Sequence, residues 1–401
     1  VLLTYAWQLR WARPAALSAV DPAAPSVDSP LPAAYALAPL NSDLIRNPSA
    51  VRRALGFLNQ LQPDGTYILS RPGGSDVVPM DLAHSAIALV KANQVDRAKA
   101  AMTWLYQSMI RRESDRADTA TDALYGGSWD DDLTLSGAAV PGSSRGRGEA
   151  VGMALIATSV IADADPGFLG VSIGGTHVSD LVRESVDYLT QPAMRRADGS
   201  FAHSPEYGVA FDEECARMTL GLELASKILL KTGDPSGAKR AADAAEAGLK
   251  ALQRRQGMSQ GMAYDFYAMG IWGLGSRADA QAEIGALKST GLASRSGVHN
   301  WDWQLTKPAS LLTRLHWWAQ SQTISPSETF DYAIACVSAG DVATAIDLEQ
   351  RWLPLQRSDG GFADAYLLGL RIGLSDPTSY AVARFILLER LLTDVAGGTK
   401  N

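Results

Sequence analysis

From residue 41 onward, apolar positions recur with the period of helices, and sustained strand-like alternation is scarce. In residues 81–95 (DLAHSAIALVKANQV), Leu82, Ala83, Ala86, Ile87, Leu89 and Val90 leave little of the helical circumference polar. Such a helix is predicted to be buried on most sides. Stretches 149–163, 213–231, 265–274 and 378–393 share that character. Between them run helices with a clear polar face: 48–62, 96–112, 178–191, 235–255, 277–289 and 341–356. In residues 238–256, for example, Ala242, Ala245, Leu249 and Leu252 occupy one side and charges the other. The predicted order is therefore half-exposed helix, loop, buried helix, repeated at roughly 60 residues per pair.

A short motif recurs where half-exposed helices end. Its copies are Gln62-Pro63-Asp64-Gly65-Thr66-Tyr67, Arg196-Ala197-Asp198-Gly199-Ser200-Phe201 and Gln356-Arg357-Ser358-Asp359-Gly360-Gly361-Phe362, with Tyr125-Gly126-Gly127-Ser128-Trp129 as a degenerate fourth. Asp-Gly makes a tight turn because glycine accepts positive φ without steric cost. The aromatic that follows is expected to plug the space between two helix ends.

Composition narrows the class. The chain has 401 residues, 46% hydrophobic and 20% charged, with a net charge of −7. This is a globular composition, long enough to bury a core without disulfides or metals, and its mild acidity gives no electrostatic reason for a nucleic-acid partner. Cys215 and Cys336 lie far apart in apolar stretches and are expected to be buried thiols. Residues 1–7 (VLLTYAW), followed by Arg10 and Arg13, read either as the tail of an export signal or membrane anchor or as a short amphipathic helix. An anchor or signal would point to a secreted, periplasmic or membrane-attached location. Residues 21–40 hold five prolines and are expected to form an extended tether, so residues 1–40 are set apart from a folded domain at 41–401.

A half-exposed helix ending in Q-x-x-D-G-x-F/Y, a loop, and an inner helix rich in Ala, Ser and Leu resembles the α/α-toroid superfamily. That resemblance implies an all-α (α/α)6 toroid, a barrel of six parallel inner helices wrapped by six outer ones. Inner helices would start near Asp81, Glu149, Asp212, Tyr264, Lys307 and Pro377. The alternative is an open superhelix of stacked pairs. The long loops all fall before an inner helix, which favours closure. Two branches of the superfamily are in view, the six-hairpin glycosidases and the terpenoid cyclase/prenyltransferase-like proteins.

Parallel inner helices bring their amino termini, and the loops before them, to one rim. Anionic side chains are favoured there by ~0.3–1 kcal/mol. Asp81, Glu149, Asp212, Glu213, Glu214, Asp265 and the segments Trp303–Lys307 and Asp376–Tyr380 open the inner helices. Each acid taken singly is also explained as a helix cap. The loops add Trp129, Asp130, Asp131 and Asp132, then His203, Glu206 and Tyr207, then Trp301 and Trp303. Aromatic rings bordered by carboxylates suit sugar rings, whose C–H faces stack while hydroxyls take hydrogen bonds. Consecutive like charges also raise one another's pKa when desolvated.

Glycoside hydrolysis uses two carboxylates, one protonated. Glu149 is the first candidate for the acid, and Asp131, Asp212 and Asp265 are candidate partners. Trp129, Asp130, Glu206, Tyr207, Tyr264, Trp301 and Trp303 are candidate substrate contacts. The segment Glu149-Ala150-Val151-Gly152-Met153 resembles, with a shorter spacer, the acid-bearing segment of bacterial cellulase-like six-hairpin enzymes, and Tyr264-Asp265 resembles their Tyr-Asp pair. For the other branch, Asp130-Asp131-Asp132-Leu133-Thr134 matches neither D-x-D-D nor D-D-x-x-D, and no histidine falls where a prenyltransferase zinc site needs one. No phosphate loop, dinucleotide fingerprint, nucleophile elbow or H-E-x-x-H is present, so neither cofactor nor metal is expected. The sequence supports a carbohydrate-active hydrolase, with a non-hydrolytic cyclase-like toroid or binding scaffold as the other reading.

Overall fold

The computed structural model describes residues 46–116, 126–130, 132–140, 146–206, 212–254, 277–290, 293–294, 297–299, 323–363, 366–367 and 376–398. Their helices are α1 (Pro48–Gln60), α2 (Pro79–Lys91), α3 (Val95–Arg116), α4 (Gly148–Ala164), α5 (Val178–Thr190), α6 (Asp212–Lys231), α7 (Pro235–Arg254), α8 (Arg277–Thr290), α9 (Pro326–Ala339), α10 (Val342–Trp352) and α11 (Ser379–Gly398). The tether and signal or anchor expected at 1–40 lie outside the described residues, as do the inner-helix starts expected at Tyr264 and Lys307.

Polarity sorts these helices into two layers. Every described residue of α4 from Gly148 to Ala162 is buried, and α2 and α9 are nearly as enclosed. By contrast α5 buries one stripe, Val178, Leu181, Val182, Ser185, Val186, Tyr188 and Leu189. The inner helices pack side by side in the order α6, α4, α2, α11, α9, and α11 meeting α2 joins the end of the chain to its beginning. Outer helices α1, α3, α5, α7, α8 and α10 cover them. This is an (α/α)6 toroid, with a continuous apolar core between the layers. The described inner helix that follows α8 begins at Pro326, capped by the Ser325 hydroxyl accepting from the Glu328 amide at 3.4 Å.

The recurring turns hold the outer layer together. Gly65, Gly127, Gly199 and Gly360 all have positive φ, between 70° and 96°. The first turn docks on α3, where Arg97 Nε donates to Gln62 Oε1 at 2.8 Å. The Gln62 amide in turn reaches the carbonyls of Gly65 (3.3 Å) and Thr66 (3.1 Å). The last turn repeats this on α1: Arg53 donates to Gln356 at 2.7 Å, and Gln356 donates to the Gly360 carbonyl at 3.1 Å. In the second copy Arg195 takes the glutamine's place and reaches the Gly199 carbonyl at 2.9 Å. The close approach explains the glycines. A Cβ on Gly127 would collide with the Glu184 carbonyl of α5, and one on Gly360 with the Arg53 carbonyl of α1. The aromatics plug as expected: Phe362 is buried with its ring 5.1 Å from those of Phe330 and Phe385.

Short antiparallel strands stitch loops at both ends of the barrel. β1 (Asp76–Val77) pairs with β2 (Leu133–Thr134), joining the loops before α2 and α4. β3 (Ser172–Ile173) and β4 (Thr176–His177) form a hairpin between α4 and α5. β5 (Ala293–Ser294), β6 (Gly297–His299), β7 (Thr323–Ser325) and β8 (Tyr366–Leu367) form one sheet that joins the loops before α9 and α11. Among the described residues, no helix is long and apolar enough to cross a membrane.

Candidate active site at the amino-terminal rim

The first two turns of five inner helices meet in one buried polar network. Arg217, in the second turn of α6, is its hub. Its guanidinium pairs with the Glu149 carboxylate at the start of α4. It also reaches Met80 Sδ on α2 (3.2 Å) and the Tyr380 hydroxyl on α11 (3.4 Å). The Tyr380 hydroxyl donates to Asp331 Oδ2 on α9 at 3.3 Å and accepts from Arg384 Nη2 at 3.1 Å. Arg384 Nε closes the chain on Asp331 Oδ1 at 2.8 Å. Arg384 is 0% exposed and Asp331 1%, so neither charge is met by water. The planar guanidinium fork suits such pairing, because one arginine can satisfy several acceptors at fixed angles.

Towards solvent the network continues through Arg147 and His203. Arg147 Nε lies 3.4 Å from Glu149 Oε2, and its Nη2 lies 3.3 Å from Glu214 Oε1. His203 Nδ1 sits 3.0 Å from both oxygens of Glu214. The Arg147 side chain is 30% exposed and that of His203 16%, against 3% for Glu149. The backbone draws the rim loops to this point: Arg147 N–H donates to the Trp129 carbonyl and Gly148 N–H to the His203 carbonyl, each at 3.0 Å. His84 on α2 is buried against the network, edge-on to Tyr380 at 4.8 Å. Burial first, then Arg384 and Arg217, hold its pKa well below the ordinary histidine value. Its Nδ1 therefore donates to the Met80 carbonyl at 2.9 Å in a neutral ring.

The expected site residues fall into three groups. Glu149 stands at the start of an inner helix on the rim, and the loops bearing Trp129, Asp130 and His203 converge on it. Its surroundings differ from those expected of an acid. A carboxyl is kept protonated by burial without a cation, whereas Glu149 is buried between two guanidinium groups. Trp129 is corrected: it offers no ring to solvent. It is fully buried, its Nε1 donates to the Leu105 carbonyl at 2.8 Å, and its ring lies 5.6 Å from that of Tyr106. It is a packing residue because the loop turns it inward onto α3. Asp130 is likewise buried, at 1% exposure, and Glu206 is exposed. Asp212 opens α6. Asp131, Tyr207, Tyr264, Asp265, Trp301 and Trp303 lie outside the described residues.

Arg217, Asp331 and Arg384 were not singled out in the sequence. Each is a charge about a turn and a half from the start of an inner helix, and that position was the available signal. Both cysteines are buried free thiols, as expected.

The fold is shared with solved glycosidases. A wild-type glycosidase superposes with a TM-score of 0.62 at 16% identity, over 90% of this chain and 99% of that one. A bacterial glucoamylase complexed with acarbose superposes with a TM-score of 0.61 at 13% identity, over 86% of this chain and 55% of that one. The glucoamylase from Saccharomycopsis fibuligera gives 0.59 at 12% identity, over 87% and 95%. No protein-family model matches the chain, and no curated protein sequence matches it. At these identities the likeness is one of fold, and nothing in the comparisons favours the terpenoid cyclase branch.

Proposed function

We propose that this protein is a glycoside hydrolase cleaving a polysaccharide or oligosaccharide with paired carboxylates at the amino-terminal rim. The observation that carries the proposal is convergence. Glu149 stands at an inner-helix start where two rim loops meet, in a toroid whose solved counterparts include glycosidases and glucoamylases. Fixed charges at such a rim are in place before the reaction begins, the condition under which electrostatic stabilisation of an oxocarbenium-like transition state is effective.

The pairing of Glu149 with Arg147 and Arg217 supports an ionised role, base or nucleophile, in place of the acid role expected from the sequence. The proton donor is then to be sought among Asp131, Asp212 and Asp265. Glu206, Tyr207, Tyr264, Trp301 and Trp303 remain the proposed substrate contacts. Because glucoamylases are among the structural counterparts, α-linked gluco-oligosaccharides are the substrates to assay first, with acarbose as inhibitor.

The test separates the two roles by leaving group. Replacing the acid spares aryl glycosides whose phenolate departs unprotonated, whereas replacing the base or nucleophile does not. Glu149→Gln should lower kcat at least about 100-fold on both substrate kinds, a loss within the range for a general base. One of Asp131→Asn, Asp212→Asn and Asp265→Asn should lose activity on oligosaccharides and retain it on activated aryl glycosides. Full turnover by Glu149→Gln would refute the assignment of Glu149. Absence of glycosidase activity in the unaltered protein across a polysaccharide panel would refute the reading as a whole.

A further inference from the structure

A second group of buried carboxylates lies away from the rim, where the first helix meets the last hairpin. Glu349 on the outer helix α10 is 0% exposed and Glu389, midway along the inner helix α11, is 1% exposed. Asn47, the residue before α1, donates its side-chain amide to both: to Glu349 Oε1, and to Glu389 Oε1 at 2.9 Å. One amide nitrogen within hydrogen-bond reach of both carboxyls places them side by side. Neither Oε2 meets an N–H donor at hydrogen-bond distance among the described residues. Among the described residues, the cation paired with them is Arg46, partly exposed and 3.7 Å from Glu349 Oε2.

The charged groups on the packed elements are engaged elsewhere. On α1, Arg52 reaches the Pro48 carbonyl and Arg53 reaches Gln356. On α10, Arg351 holds Asp347, and on α11, Arg390 holds Asp394. Asp331 of α9 is held by Arg384, and Lys91 of α2 faces Arg390, Asp394 and Asp163. Two ionised carboxylates would leave one negative charge buried without a counterion, which is far costlier than keeping one proton.

We propose that Glu349 and Glu389 share one proton and form a clasp that fastens α1 to the last hairpin, tight at mildly acidic pH and loosened as pH rises. Glu389 holds the proton and donates it to Glu349, while Asn47 bonds both. Burial first, and then Glu349, push Glu389 up from the ordinary carboxyl value of 4.5 to about 8. Between those values the folded chain carries one more proton than the unfolded chain. The contribution is therefore complete below the ordinary value. It falls by as much as tenfold in the folding equilibrium per pH unit as pH rises, until Glu389 ionises in place. Lys91, pushed down to about 7 by burial, acts with the opposite sign above that pH, so the variant comparison matters more than the raw curve.

The experiment is urea denaturation of the full chain and of Glu389→Gln from about pH 5 to about pH 8. A glutamine keeps the donor towards Glu349 and cannot ionise. Relative to Glu389→Gln, the parent protein should lose at least tenfold in its folding equilibrium constant across the range. Parallel curves would overturn the proposal. If Glu389→Gln does not fold, infrared spectra of the parent decide: a carboxylic-acid C=O band persisting near pH 6.5, where ordinary carboxyls are ionised, and lost by about pH 9 supports the shared proton. No such band refutes it.

Discussion

The rim and the seam both bury carboxylates between helices, and they neutralise them by different means. At the rim, Glu149, Glu214 and Asp331 are matched by Arg147, Arg217 and Arg384, with a tyrosine hydroxyl and a neutral imidazole filling the gaps. At the seam, Glu349 and Glu389 have one arginine, at 3.7 Å, and one amide between them. Guanidinium groups hold their charge over the whole range in which proteins fold, so the buried rim acids keep their cations throughout it. A carboxyl pair with too few cations must hold a proton, so the seam responds to pH. The count of cations around buried acids decides which behaviour a region has.

Removing a cation from the rim should have the largest effect. Arg384→Met takes from the buried Asp331 its guanidinium partner and leaves it the Tyr380 hydroxyl, and loss of one partner of a buried pair costs about 3–5 kcal/mol. Urea unfolding should show this as a lower midpoint at unchanged slope. A loss below about 1 kcal/mol would mean that water reaches Asp331 and that the rim resembles the seam. Next comes Arg46→Ala at the seam, expected to cost about 1 kcal/mol or less, because Arg46 is partly exposed and distant. Arg46 lowers the affinity of Glu389 for its proton, so the variant should also move the pH response upward by a fraction of a unit. The smallest effect is expected on the surface. Lys239 and Asp243 pair at 2.8 Å, with side chains 75% and 60% exposed, and Lys239→Ala should leave the melting temperature unchanged within error.

How far each region could be read in the sequence follows from the same physics. Helices α2, α4, α6 and α11 were legible because apolar residues on all sides leave no other way to bury them. The outer helices were legible from their single stripes. Helix α9 was not, since Ser327, Glu328, Thr329 and Asp331 give its first turns the polarity of a loop. The Asp-Gly turns were legible because the required φ restricts the residue to glycine. The rim network was legible only in part. Glu149 stood out by its place at a helix start, but Arg217 meets Tyr380 across 163 residues of chain, a pairing no local pattern carries. Trp129 misled for the opposite reason. Its loop is polar, yet the ring is aimed at a backbone carbonyl of α3, and only the three-dimensional path of the loop decides that.

The glycine turns also bear on how the chain assembles. Each docks on an outer helix later in the chain, Gly127 on α5 and Gly199 on α7, until Gly360 turns back to Arg53 on α1. The contacts within each hairpin join helices that are neighbours in the chain. The joining of Gly360 to α1, with Asn47 reaching Glu389 across 342 residues, spans by far the longer stretch of chain. A growing chain leaving the ribosome therefore carries α1 without its final partners until the closing hairpin has emerged. A circular permutant opened within the loop between α6 and α7 would turn that late, distant contact into a local one, while making another junction the slow one.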